Sequence, residues 1–485
     1  MRRWIFSCSV AIALLGLGAM NSGLLNAEDK PAVDVGTPTE IVVEPAKFEL
    51  NGSRSYQHLM VTGKYANGEV RDLTSVAVFT TSADPIAKVA NAIVKPAADG
   101  SVQITATVGA LKASVDGIVK NMAQPTPVSF KNQTIAALSK SGCNMGACHG
   151  SPSGKGGFRL SLRGYDPVLD IMTLRSEYYG RRTNTLEPGE SLLLKKPLME
   201  VAHGGGRRLK KNDPSHRVLL DWVAEGLRLD QPTEPELLKI QMLPESRTFQ
   251  QAGLRQQIIA MGHFSDGSIR DVTSLTVFTS SNETVAKVDD NGLVSKNSRG
   301  ETAILGRYLD KMATSYVTFL QEVPGFAWNN PSENSFVDSL VFAKLKQLQI
   351  LPSDVCTDEE FLRRAYLDTA GRLPTVAETQ AYLANSAPNR RDLLIDQLVE
   401  SDDFASFWTL KWADVLRSNS KKLNATGVHK FRLWIYESIR NDKPFDQFAR
   451  ELLTAKGSAY ENPAANYWRA SRDPQDATET TAQLF

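Results

Sequence analysis

Residues 141–150 read SGCNMGACHG, and Cys143, Cys148 and His149 in this stretch are side chains that ligate metals or react as thiols. The chain has four cysteines and six histidines in 485 residues, so their gathering here is its strongest chemical signal. Four chemistries use such a set. In covalent haem attachment two thiols add to the vinyl groups and the adjacent histidine takes one axial position on the iron, with a usual spacing of C-x-x-C-H, two residues shorter than here. Structural zinc tolerates C-x4-C with His203 as a distant ligand, although neighbours such as Cys148 and His149 seldom reach one tetrahedral ion together. A Cys143–Cys148 disulfide leaves His149 without a role, and dithiol redox catalysis again asks for C-x-x-C. If iron is bound, His203 in VAHGGGRRL and Met199 in KPLMEV are the candidates for its sixth position, with His203 preferred. A His/Met pair raises the reduction potential and a His/His pair lowers it. The glycines after His203 would let backbone approach the edge of a macrocycle.

The compartment bears on all four. Arg2 and Arg3 precede an apolar stretch from Ile5 to Met20, and Ala27 before Glu28 suits a small-residue cleavage site, so residues 1–27 read as a secretory signal peptide. The expected location is the periplasm or cell surface, with no transmembrane segment after its removal. Three cysteines then remain, which excludes a disulfide-dense scaffold; Cys356 is expected to be a small buried apolar residue. The net charge of +1 argues against a nucleic-acid partner, which would demand a basic excess.

The motif sits in a loop-rich segment, residues 125–230, between two copies of a repeat. GEVRDLTSVAVFTTSADPIAKV begins at Gly68 and GSIRDVTSLTVFTSSNETVAKV at Gly267, with 12 of 22 positions identical. Each copy opens with a hairpin signal, Asn67-Gly68 or Asp266-Gly267, suited to a type I′ turn. β-Branched and aromatic strands follow, which predicts two all-β sandwiches over residues 37–122 and 235–322, each folding as its own domain. Between them, TIAALSKSG predicts a short helix before Cys143, and SHRVLLDWVAEGL a second with Leu219, Trp222 and Val223 on one face. Such a small unit has little core of its own, and a flat apolar cofactor would fill its centre. Residues 131–230 carry 16 Lys and Arg against 10 Asp and Glu, a surface that could dock an acidic redox partner. GSPSGKGG lacks the spacing of a nucleotide loop, and no G-x-S-x-G or H-E-x-x-H occurs.

After Pro331 the pattern becomes helical. Phe336, Val337, Leu340, Val341 and Leu345 share one helical face. Capping boxes start helices at Thr357–Glu360 and Thr375–Glu378, and Trp408, Trp412 and Trp434 are spaced for core packing. The acidic run Asp358-Glu359-Glu360 suits first-turn dipole compensation better than paired catalytic carboxylates.

Three stretches resemble known families. VTGKYANGEVRDLTSVAVFTTSADPIAKV and MGHFSDGSIRDVTSLTVFTSSNETVAKVDDNGLV resemble bacterial immunoglobulin-like domains of group 2, which implies extracytoplasmic spacing or adhesion. GCNMGACHGSPSGKGGFRLSLRGYDP, SLLLKKPLMEVAHGGGRRL and LLDWVAEGL resemble the cytochrome c-like domain of exported, planctomycete-type multidomain proteins. That resemblance implies haem c held by Cys143 and Cys148, with His149 as proximal ligand. FLRRAYLDTAGRLPTVAETQAYL and the stretch that follows resemble the cytochrome-associated helical domain of unknown function in the same proteins, over residues 333–485, where the chain is expected to be truncated.

The expected architecture is therefore two immunoglobulin-like sandwiches flanking a small mainly α, cytochrome c-like domain, followed by an all-α domain. The leading expectation is an exported c-type haem protein in electron transfer, with an unidentified redox partner protein. The alternatives are a non-redox surface scaffold or adhesin whose cysteine pair is a disulfide or zinc staple, and an accessory protein of extracytoplasmic polysaccharide processing that touches the polymer through its sandwiches. Whether the chain is an enzyme is left open by its motifs.

Overall fold

Alternating apolar residues build the first sandwich from β1 (Glu40–Glu44), β2 (Lys47–Asn51), β3 (Gln57–His58), β4 (Met60–Lys64), β5 (Val70–Asp72), β6 (Val78–Thr81), β7 (Ala87–Ala90), β8 (Ile93–Pro96), β9 (Gly100–Val108) and β10 (Leu111–Lys120). They pair as β1-β4-β5, β2-β10-β9-β6 and β3-β8-β7, with β2 parallel to β10. Period-2 burial, as in β10, turns Val115 and Val119 inward onto Phe48, Leu50 and Ile104. This computed structural model describes residues 35–124, 127–250, 255–320, 323–471 and 473–485. The proposed signal peptide, residues 1–27, lies outside the described residues.

Four helices follow: α1 (Ile135–Lys140), α2 (Pro167–Arg175), α3 (Leu192–Leu198) and α4 (Pro214–Ala224). The second sandwich repeats the first strand for strand. Its elements are β11 (Leu237–Leu243), β12 (Ser246–Phe249), β13 (Arg255–Gln257), β14 (Ile259–Phe264), β15 (Ile269–Asp271), β16 (Val277–Ser280), β17 (Ala286–Val288), β18 (Leu293–Lys296), β19 (Gly300–Tyr308) and β20 (Lys311–Phe319). They pair as β11-β14-β15, β12-β20-β19-β16 and β13-β18-β17, again with one parallel pair, β12 to β20.

Two expectations need correction. The hairpin turns are not type I′. Gly68 and Gly267 both take φ 79°, but Asn67 and Asp266 are not left-handed. Tyr65 N–H donates to Glu69 O at 3.0 Å and Phe264 N–H to Ser268 O at 3.0 Å, which makes each turn a three-residue loop ending in a glycine bulge. The Asn67 carboxamide and Asp266 carboxylate oxygens accept from the amides of Glu69 and Ser268, two residues on, which closes an Asx turn across each glycine.

The helical segment is also not hollow. Leu138, Leu194, Leu219, Trp222 and Val223 are fully buried and belong to one apolar cluster that runs on into Met242, Phe249, Ile304 and Phe319 of the second sandwich. The segment's missing core is supplied by side chains of its neighbour. Polar contacts tie the same seam: Lys140 Nζ donates to Thr276 O at 2.6 Å, and Tyr308 O–H donates to Asn132 O at 2.5 Å.

The chain divides into two compact units, Met1–Leu351 and Pro352–Phe485. The helix Phe336–Gln347 falls in the first. Its capping box at Ser335 is present, yet Phe336, Val337, Leu340 and Val341 are all exposed, so the apolar stripe read from the sequence is not a core face there. Leu345 is half-buried. The second unit is helical throughout its regular elements. Both expected capping boxes form, Thr357 with Glu360 and Thr375 with Glu378. Trp412 and Trp434 pack on Phe448, with ring centres 5.4 and 4.8 Å away. Trp408 stays partly exposed beside Phe404 and Phe407, and Cys356 is half-buried.

The shared core makes a prediction. Trp222→Ala should cost about 3–5 kcal/mol, and calorimetry of the full chain should show the helical segment and the second sandwich losing stability together, while the first sandwich's amide exchange changes little. Loss confined to the helical segment would contradict a continuous core.

Candidate functional site

The ten residues around the cysteines are folded by their own backbone. Cys143 N–H donates to Leu138 O at 2.9 Å, which ties the loop to the end of α1. His149 N–H donates to Cys143 O at 3.0 Å, and Cys148 N–H to Met145 O at 2.9 Å. The four residues between the thiols are thus taken up in tight turns. Gly150 is required here, because a Cβ would come within 2.1 Å of Asn144 O. Asn144 is fully buried below the loop; its Nδ2 donates to Ser139 Oγ, while Oδ1 has no partner among the described residues.

Both cysteines are half-buried free thiols. Cys143 also packs against the shared core. Burial pushes its thiol up to about 12, Cys148 acts in the same direction, and Arg208 only partly opposes them. Cys143 is therefore protonated at neutral pH and is not an activated redox nucleophile.

His203 reaches the motif from beyond α3. Its ring centre lies 6.3 Å from that of His149, with the planes 17° apart. Each ring is oriented by a backbone carbonyl. His149 Nδ1 lies 2.9 Å from Phe158 O and His203 Nδ1 lies 2.7 Å from Gly206 O. A carbonyl can only accept, so each Nδ1 carries a proton, and in a neutral ring Nε2 is the nitrogen that keeps a lone pair. Burial holds the His149 imidazole below its ordinary value, and His203 and Arg182 push it the same way against two backbone hydrogen bonds, so it is neutral at pH 7. Two imidazoles bonded through Nε2 to one metal at about 2.0–2.1 Å would have ring centres roughly 6 Å apart. That spacing leaves room for one metal between the rings, which His149 and His203 would then hold.

The glycines of the HGGG loop serve the His203 ring. Gly205 lets His203 fold back over its own loop: a Cβ there would sit 2.9 Å from His203 Cε1. Gly206, at φ 70°, turns the chain so that its carbonyl reaches Nδ1. Met199 is the left-handed cap of α3 and is largely exposed. Sequence reasoning missed the support behind His149. Phe158 lies against that ring at 4.5 Å between centres, and Arg182 stacks on Phe158 at 4.5 Å while donating to Thr173 O and Gly157 O.

Among the described residues, no group of three or more His, Cys, Asp and Glu is gathered tightly enough to hold a metal ion. The zinc set of Cys143, Cys148, His149 and His203 is accordingly not assembled. A cleft of about 1180 Å³ opens elsewhere, lined by Tyr56, Arg217, Asp221, Arg270, Asp271 and Tyr308 among others; none of the four zinc candidates lines it. No helix among the described residues is long and apolar enough to cross a membrane.

Residues 336–484 match the model of the PSCyt2 family, described as a protein of unknown function (DUF1549). The chain is thus a multidomain protein, strand-rich in its first part and helical in its last, whose helical part is similar to that family. No curated protein matches the chain. Among solved structures it is similar to domains 4–9 of the surface layer protein SbsC, at 10% identity and TM-score 0.24, over 59% of this chain and 32% of that one. Domains 5–6 of SbsC match at 11% identity and TM-score 0.24, over 59% and 99%. InvD of Yersinia pseudotuberculosis matches at 11% identity and TM-score 0.14, over 61% and 60%. The chain spans about a third of the length of the first of these, and likenesses at such TM-scores carry no weight for fold or function.

The loop geometry gives a paired test. Gly205→Ala should displace the His203 ring, seen as lost ring-to-ring nuclear Overhauser effects with His149, and cost about 1–3 kcal/mol through overpacking. Gly204→Ala meets nothing within 4 Å and should leave both unchanged. Equal effects at the two positions would show that His203 is not held as described.

Proposed function

We propose that this protein is an exported c-type haem protein that transfers electrons, with its haem domain carried between immunoglobulin-like spacer domains. The observation that carries the reading is the pair of imidazoles, His149 and His203, each fixed through Nδ1 by a backbone carbonyl and each offering Nε2. Metal-bound histidines are characteristically oriented in this way, because the carbonyl fixes the tautomer and makes the ring a better donor.

Cys143 and Cys148 would hold the haem as thioethers, and His149 and His203 would hold its iron. Bound there, haem supplies one-electron redox chemistry at a potential that two imidazoles keep low. The chain's own residues do the rest. Phe158 and Arg182 keep the His149 ring from turning. The turns between the thiols would take up the longer spacing, with the His149 N–H donating to the Cys143 carbonyl. The exposed apolar residues of this segment, Leu162, Met172 and Tyr178 among them, would shield a macrocycle edge from water. The basic excess of residues 131–230 suits an acidic redox partner.

A second reading has one observation in its favour. The helical segment is already filled by the second sandwich, so it could fold as a non-redox surface scaffold with the cysteines as a staple.

Spectroscopy separates the two. Protein exported from a host with haem-attachment machinery should keep its haem after denaturation, and Cys148→Ala should weaken or abolish that linkage. His203→Ala should turn the iron high-spin or open to added ligand, whereas Met199→Ala should leave the spectrum nearly unchanged, without a thioether band in the near infrared at any stage. Haem that never appears, or that acidified solvent extracts, would refute the proposal in favour of the scaffold.

A further inference from the structure

The two sandwiches meet through equivalent residues. Asp72 and Asp271 hold the same place in their repeats, and each Oδ1 accepts the amide two residues on, Thr74 at 2.8 Å and Thr273 at 2.9 Å. Each Oδ2 crosses the seam. Asp72 accepts the Gln257 amide at 2.5 Å, and Asp271 accepts the His58 amide at 2.5 Å. Gln57 and Gln256 also cross, with Nε2 3.4 Å from Asp271 and 3.5 Å from Asp72. Met60, Ile259 and Met261 fill the apolar centre between them.

One equivalence is broken. At position 257 the second repeat has a glutamine, whose side-chain amide is engaged by Ile258 O and Asn291 O. At position 58 the first repeat has a histidine, whose Nδ1 lies 2.8 Å from Asp271 Oδ2, with both side chains largely withdrawn from water. We propose that His58 makes this seam a pH-sensitive latch: when protonated it ion-pairs with Asp271 and holds the sandwiches closed, and when neutral it leaves only hydrogen bonds, so the seam opens more readily.

The surroundings favour this. Tyr56 lies edge-on to His58 at 5.6 Å between ring centres. β15 carries Arg270, whose guanidinium is turned to Asp266. β2, beside β15, carries Lys47 and Glu49; β8, the partner of β3, carries Lys95; β19 carries Tyr308. At the equivalent half of the seam, Asp72 and Glu44 of the first sandwich face Arg247 of the second. Among the described residues, the charge that acts on His58 is that of Asp271. Burial alone would lower the His58 imidazole, but the Asp271 charge and hydrogen bond outweigh it and raise it above 6.5. A group raised on folding stabilises fully below its unfolded value, and that contribution is lost as pH rises through the folded one. The latch is therefore closed at mildly acid pH and loosens above neutrality. Burial also raises the Asp72 carboxyl, an effect that remains when His58 is replaced.

Amide hydrogen exchange on the full chain tests this at the His58 and Gln257 amides, which cannot exchange while the seam is closed. After correction for intrinsic rates, protection at both should fall between pH 6 and pH 8 by clearly more than the scatter of seam-remote amides, since an imidazole that binds its proton more tightly in the closed seam than in the open one favours closure only while it is protonated. His58→Gln, which installs the residue of the second repeat, should abolish the fall, and Gln257→His should leave it at least as steep. The same fall in His58→Gln, or no fall in the unaltered chain, would overturn the proposal.

Discussion

Much of this molecule depends on one apolar contact surface, the face that α1 and α4 share with the second sandwich. Helices as short as α1 cannot bury enough area to be stable alone. They become so here because Leu138, Leu219 and Trp222 pack into the cluster that holds Phe249 and Phe319. The cysteine loop hangs from the end of α1 through the Cys143–Leu138 hydrogen bond. The position of every proposed ligand is therefore inherited from a β-sandwich that contributes no ligand itself.

That dependence explains what the sequence could and could not convey. The duplicated sandwiches were legible because identical residues recur at a constant offset and β-strands write their burial at every second position. The helix of Trp222 was legible for the same kind of reason, with a period of 3.6. The filling of the helical segment was not legible: its partners lie in a separate sandwich further along the chain, and periodicity shows which face is apolar but not what covers it. The stripe from Phe336 to Val341 shows the converse, a clear helical period with an exposed face. The turn type was misread because Asn-Gly and Asp-Gly serve two kinds of hairpin, and the choice rests on side-chain bonds to Glu69 and Ser268.

At the site, the chemistry of residue types went further than spacing. His203 was nominated over Met199 only because imidazole and thioether are different donors, and nothing in the sequence marked its approach to His149. Phe158 and Arg182 carried no signal at all, since a stack of three side chains from separate turns exists only after folding. The glycines were the reverse: their need was plain in the sequence, but its cause lay in His203 itself.

The seam between the sandwiches has a consequence for descent. Its bonds come in reciprocal pairs, Asp72 to Gln257 and Asp271 to His58, as in an isologous contact between two copies of one subunit. A symmetric dimer must change both halves of its interface with every substitution. Once the copies are joined in one polypeptide, each half can vary alone, and an asymmetric residue such as His58 becomes accessible without its mirror image. The insertion between the repeats then lies where a linker between protomers would have been, a position that tolerates a whole folded segment because both of its ends are already anchored.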